Sequence, residues 1–379
     1  MEPPGTPKPA APWHGSVALR FRLAKAEANM PSPQRGPLRS CDVPRPGPVP
    51  VASPGTGLAT APDRTPGPSR RTIHHGFATA PLKLQRAFSG ADGRCELPVL
   101  HTAGGLVGGD RLSLTADLEP GSRALLTSVA AQKVYGSVGR SRRHPAGCWA
   151  RQDISFLLQR GSDLEWLPQE LVMFAGALYE QHLIVRLAPG ASWLGADVVR
   201  LGRTAAGEGL EAGRWRSHLE IRREDLPPGP PDRGAAPGQR RRGVQGGESE
   251  GIVERYELVE RYELVDRIEL AGAALHDSHG MAGQPVFGSL VWAAPHPLQP
   301  DRIHRLLELC RSDQEGLEGE MACGALEQGL VARYRGPASQ AARCWFVRIW
   351  SRIRAERGLC RPELPRVWPF QEERPASRT

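Results

Sequence analysis

Four glycines crowd the stretch His101-Thr-Ala-Gly104-Gly105-Leu-Val-Gly108-Gly109-Asp110-Arg111, and such a run could cradle a phosphate. Phosphate loops place glycines at fixed offsets ahead of a helix N-terminus, usually with a lysine followed by Ser or Thr. Here the offsets do not give G-x-G-x-x-G, and no Lys-Ser or Lys-Thr follows. Instead Leu112, Leu114, Ala116 and Leu118 alternate with polar residues, which is the period of a strand. Glu119-Pro-Gly-Ser122 is turn chemistry, and residues 124–129 return as a second strand, so a hairpin is expected. The glycines then serve a loop that needs positive φ or close backbone approach. A phosphate- or nucleotide-binding enzyme built on residues 104–109 is the alternative reading.

Other constellations are weaker. Glu165 and Glu170, in Glu165-Trp-Leu-Pro-Gln169-Glu170, are spaced as a possible acid–base pair. No nucleophile or base motif accompanies them, and the expectation is exposed acids flanking a strand break at Pro168. His276-Asp-Ser-His279 could hold a transition metal on a helix. Gly280 and Gly283 favour a polar loop instead. The chain has no H-E-x-x-H, no Walker loop and no C-x-x-C. A binding or assembly protein is therefore favoured over an enzyme.

The elements that must position these residues are mostly strands. Residues 13–23 put Val17, Leu19, Phe21 and Leu23 on one face. Residues 72–88 carry Pro81-Leu-Lys83-Leu-Gln85-Arg86, with Lys83 and Gln85 facing away from Leu82 and Leu84. Alternation continues at 152–159, 183–187, 192–201, 215–222 and 286–293. Residues 136–147 form a basic loop, and 202–209 a second glycine-rich connection. Glu254-Arg-Tyr-Glu-Leu-Val repeats at 260–265. A six-residue duplication keeps Tyr256, Leu258, Tyr262 and Leu264 on one face of a strand, whereas a helix would rotate the copies by about 240°. Helices come late: Asp301 is expected to cap Ile303, Leu306, Leu307 and Cys310, and Ser339 to cap Ala342, Trp345, Phe346, Ile349, Trp350 and Ile353. The fold class is mainly β with two C-terminal α-helices.

Proline and glycine mark the domain plan. Residues 1–12 read as disordered, 13–370 as a single domain interrupted by inserts at about 27–71 and 225–250, and 371–379 as a tail. The net charge of +8 favours acidic partners. Only four of the 49 basic residues are lysine, and Lys83 and Lys133 fall inside marked blocks. Arg240-Arg-Arg242 has no aromatic nearby, so nucleic acid is not expected. Seven scattered cysteines fit a reducing compartment. No apolar leader and no run of about 18 apolar residues is present, so a cytoplasmic protein without a membrane span is expected.

Pro81–Arg86, His101–Arg111 and Ala130-Ala-Gln-Lys133-Val-Tyr135 stand in one order, joined by Glu165–Glu170, Leu201-Gly-Arg203-Thr-Ala-Ala-Gly-Glu208 and Pro365-Arg-Val-Trp368. This ordered set resembles the urease accessory protein family UreD, called UreH in some species, across residues 13–26 and 72–370. The resemblance implies a helical-β-type body and a non-catalytic chaperone that helps insert nickel into the urease apoprotein, in a complex with UreF and the GTPase UreG. It implies transient Ni²⁺ and no resident cofactor. A nickel route needs exchangeable donors, and Asp110, Glu170 and Glu208 lie beside the family's motifs, with His101 behind them. Lys83, Gln85, Arg86, Gly104, Gly105, Gly108, Gly109, Lys133, Tyr135, Gln169 and Arg203 are expected as structural partners or contacts. The 27–71 insert departs from the family, which crosses there by a shorter connection.

Overall fold

The computed structural model describes residues 13–24, 71–225 and 259–368. The expectations for 1–12, for both inserts apart from Arg71 and Asp225, for the first hexapeptide apart from Val259, and for 371–379 lie outside them. Strands β1 (His14–Leu23), β2 (Thr72–Ala78), β3 (Leu82–Leu84), β4 (Phe88–Ser89) and β5 (Cys95–His101) lead into a coil. Its first turn is β6 (Arg111–Leu118), β7 (Arg123–Ser128) and β8 (Gln132–Val134). The second is β9 (Ala150–Leu158), β10 (Asp163–Trp166) and β11 (Leu171–Met173). The third is β12 (Leu178–Leu187) and β13 (Ser192–Leu201), after which come β14 (Arg214–Asp225), β15 (Val259–Leu270) and β16 (Val286–Ala293). Helix α1 (Pro300–Ser312), β17 (Glu320–Leu326), β18 (Gly329–Gly336) and α2 (Ser339–Glu356) close the chain.

Each turn adds one rung to every wall. The first wall runs β15-β14-β12-β9-β6-β1-β2, parallel from β14 to β1 and antiparallel at both edges. The second runs β17-β18-β16-β13-β10-β7-β5-β3, parallel between β5 and β13. A short third wall branches from it, where β8, β11 and residues 199–201 of β13 lie parallel. The chain is mainly β with two late helices, as its periodicities imply.

The expected hairpin at 111–128 is not one. β6 belongs to the first wall and β7 to the second, and the turn between them is a corner. The same corner recurs at Gly121, Gly161 and Gly190, with φ of 71°, 66° and 74°. Gly121 N–H donates to Arg160 O at 3.0 Å, and Gly161 N–H to Pro189 O at 3.3 Å, so the corners stack. A strand–turn–strand pattern reads alike for a hairpin and for a coil corner; only the partner strands differ.

Apolar alternation fills the space between the first two walls with residues such as Phe21, Leu114, Phe156, Val185 and Trp193. A second cluster lies between the second wall and the helices, where Trp345, Ile349 and Trp350 are fully buried. Each such side chain contributes roughly 1.5–3 kcal/mol. The expected caps are not used: Gln299 and Ala338 precede the helices without side-chain cap bonds, and Pro300 starts α1. A bulge between Ile221 and Arg222 also skips Glu263. It splits the expected shared face, so Leu264 packs inward while Tyr262 is exposed. Glu263 turns in and pairs with Arg223 at 2.8 Å.

Candidate functional site

Three of the marked blocks, His101–Arg111, Ala130–Tyr135 and Leu201–Glu208, are far apart in sequence and meet at the third wall, whereas Leu82–Leu84 pair with Val99–His101 on the second. Lys133 pairs in register with Val172, and Val172 with Arg200. Leu106, in the first glycine loop, bridges to Val134 as a further rung. Just beyond these rungs, Tyr135, Phe174 and Arg203 follow one another. The Tyr135 and Phe174 rings are 4.9 Å apart, edge to face, and the Arg203 guanidinium lies 4.7 Å from the Phe174 centroid. Arg203 Nε donates to Glu208 Oε2 at 2.7 Å. That hydrogen bond, with the charges of Arg203 and Arg140, holds the Glu208 carboxyl below its usual range.

Gly105 shows what the glycines are for. Its φ is +156°, and a Cβ there would stand 2.7 Å from the Tyr135 ring and 2.9 Å from Lys133 O. The loop has to pass this close for Leu106 N–H to reach Lys133 O at 2.8 Å. Asp110 closes the same loop, its Oδ2 accepting from Val107 N–H at 2.9 Å. A phosphate would need such an amide free and would meet a carboxylate there, and β6 rather than a helix follows.

His101 lies beside this loop. Gln132 Nε2 and His101 Nδ1 are 3.1 Å apart, and burial lowers the His101 pKa against the opposing charge of Asp110. Glu170 is half-buried, and its charge opposes the burial that lowers the Arg343 pKa. Gln169 is buried, with its backbone N–H bonded to Ser128 Oγ at 2.8 Å. Lys83 and Arg86 are exposed, while Gln85 N–H donates to Pro98 O at 3.0 Å. The four candidate donors thus do not converge: among the described residues no group of three or more His, Cys, Asp or Glu could hold a metal. His276 and Glu211 join Glu208 in lining a cleft of about 580 Å³ between the second glycine loop and residues 272–285.

Two features escaped sequence reasoning. Glu165 is not an exposed acid. It is 1% exposed, accepts from Arg354 at 2.7 Å and Trp350 Nε1 at 2.8 Å, and pairs with Arg94. These partners lie 71 to 189 residues away, so no local spacing announces them. Asp197 points between the walls and accepts from Gln181 Nε2 at 3.0 Å. Burial pushes its carboxyl up to about 6, against that bond and the charge of Arg333. A lone acid inside Trp193-Leu-Gly-Ala-Asp197-Val-Val was the available signal.

Comparison with known proteins shows the family. A family model described as UreD urease accessory protein matches residues 60–369. The chain belongs to the UreD family. A urease accessory protein UreD from Synechococcus sp. (strain WH7805) is 57% identical over 302 residues, covering 80% of this chain and 86% of the relative. One from Prochlorococcus marinus (strain MIT 9303) is 54% identical over 305 residues, covering 80% and 92%. Another, from Synechococcus sp. (strain RCC307), is 46% identical over 367 residues, covering 97% and 93%. UreD membership ties the chain to urease maturation. No helix among its described residues is long and apolar enough to cross a membrane.

Proposed function

We propose that this protein is a non-catalytic cytoplasmic scaffold for nickel insertion into the urease apoprotein, acting in a complex with UreF and UreG. The observation that supports this reading is the third wall, where segments of three UreD motifs meet and carry Lys133, Arg203 and Glu208. Nickel is cargo here, not a resident cofactor. Carboxylates and imidazole bind first-row divalent ions through oxygen and nitrogen. Asp110, Glu170 and Glu208, with His101 behind, are donors that a passing ion engages in turn. Their separation suits transfer, because a closed set of ligands would retain the ion. Arg203 competes with the metal for Glu208 and so weakens that stop. Lys83, Arg86 and Lys133 present exposed cations to partners.

Co-purification tests the reading. The tagged full-length chain, expressed with urease subunits, UreF and UreG, is expected to bring them down and to support nickel-dependent urease activation. Activation that proceeds equally without the chain, and no partner retained, would refute it.

A further inference from the structure

Residues 139–146 form a loop whose eight positions are all exposed, including Arg140, Arg142, Arg143 and His144. The loop is nevertheless built. Gly139 N–H donates to Pro145 O at 2.9 Å, and Gly147 N–H to His144 O at 3.0 Å. At its base Ser137 Oγ accepts from Cys148 N–H at 2.6 Å, and Ser137 and Val138 N–H both bond to Gly176 O. Elsewhere arginines meet carboxylates, as in Arg94–Glu165, Arg123–Asp92, Arg333–Asp266 and Arg352–Asp313. Among the described residues no ion pair involves Arg142 or Arg143. A hydrogen-bonded loop that crowds cations, two of them without an ion pair among the described residues, carries repulsion, and an acidic surface relieves it.

Its position adds a second feature. The first glycine loop packs against the base of this one: a Cβ on Gly108 would stand 2.4 Å from Ser137 Oγ. Val107, beside that contact, is 52% exposed. An apolar residue beside a rim of guanidinium groups is the make-up of a protein interface. A nucleic-acid surface would want exposed aromatic rings for stacking, and the loop has none.

We propose that loop 139–146, with Val107 beside it, docks an acidic surface of the urease apoprotein. The inference rests on the maturation reading for the identity of the partner. The charges at Arg142 and Arg143 steer the encounter, and Val107 supplies the contact that excludes water.

Surface plasmon resonance with purified apo-urease and the full-length chain tests this. Arg142→Ser with Arg143→Ser is expected to lower the on-rate about three- to tenfold at low salt and to converge with wild type near 0.5 M salt, because exposed charges are screened there. Arg267→Ser with Arg305→Ser removes the same net charge from exposed sites on β15 and α1 and is expected to change the on-rate less. Wild-type binding with an unaltered loop variant overturns the docking inference alone. Equal loss in both variants also overturns it, since only the overall charge then matters. A wild-type chain that fails to bind urease at any salt overturns both the inference and its part of the maturation reading. Tighter binding of single-stranded RNA than of urease through the same arginines assigns the loop to nucleic acid and overturns it too.

Discussion

Arginine and glutamate meet in two parts of this molecule with opposite consequences. Under α2, Glu165 is enclosed by Arg94, Arg354 and Trp350, and the pairing spreads through Asp92 and Arg123 to Asp163 and Arg357. On the third wall, Arg203 and Glu208 pair at the surface. The chemistry of the two pairs is alike, but their solvation is not. A buried ion pair costs several kcal/mol to desolvate, and its charges cannot part without leaving one stranded. A surface pair is screened and exchanges readily with water or an incoming ion. The first is therefore suited to fastening α2 to the coil, the second to releasing Glu208 when a cation arrives.

Glu165→Ala should separate the two most sharply. It strands Arg94 in the interior and leaves Arg354 with Asp92 alone, so unfolding in urea is expected to lose about 3–5 kcal/mol of stability. An unmoved midpoint would show that α2 is held by apolar packing alone.

The titration of the interior comes next. Asp92 is raised by burial, but its hydrogen bond from Arg354 and the charges of Arg123 and Arg94 outweigh that and hold it at about 2. Its folded pKa lies below the ordinary 3.8, so its contribution of about 2 kcal/mol is present above pH 4 and lost between pH 4 and 2. Asp197 has the opposite sign. Its folded pKa, about 6, lies above 3.8, so its contribution is full below pH 4 and is lost as pH rises through 6. Asp197→Asn should flatten thermal stability between pH 4 and 7 by about 2 kcal/mol. An unchanged slope would place the carboxyl in contact with water.

Gly105→Ala tests the wall itself. Its Cβ would collide with Tyr135 and the Lys133 carbonyl, in a left-handed backbone, at a cost of about 1–3 kcal/mol. Urease activation should fall further than the midpoint shift explains, because the rungs beyond Leu106 move. The smallest stability effect belongs to Glu208→Gln. The urea midpoint is expected to stay in place while nickel-dependent activation drops. If Glu208→Gln unfolds the protein as readily as Glu165→Ala does, the contrast between buried and surface pairs collapses.

Legibility in the sequence followed range. Strand periods at Leu112–Leu118 and Trp193–Leu201, and the apolar stripe of α2 from Ala342 to Ile353, are local, and the structure keeps them. The bulge at Glu263 was hidden because alternation reports facing only while the register is unbroken. Of the candidate site, the segments around Gly105, Tyr135 and Arg203 were legible as motifs, while their adjacency was not. Nothing in the spacing of Tyr135, Phe174 and Arg203 says that one turn of a coil separates each from the next.

By itself the chain determined its strands, its corners and its late helices, because alternation, glycine turns and helical stripes are written in neighbouring residues. Only the tertiary structure decided that the corners wind rather than fold back, since that choice depends on which distant strand offers the free backbone edge. The winding stacked separate motifs into one wall, and burial then turned Glu165 into a fastener while leaving Glu208 at the surface.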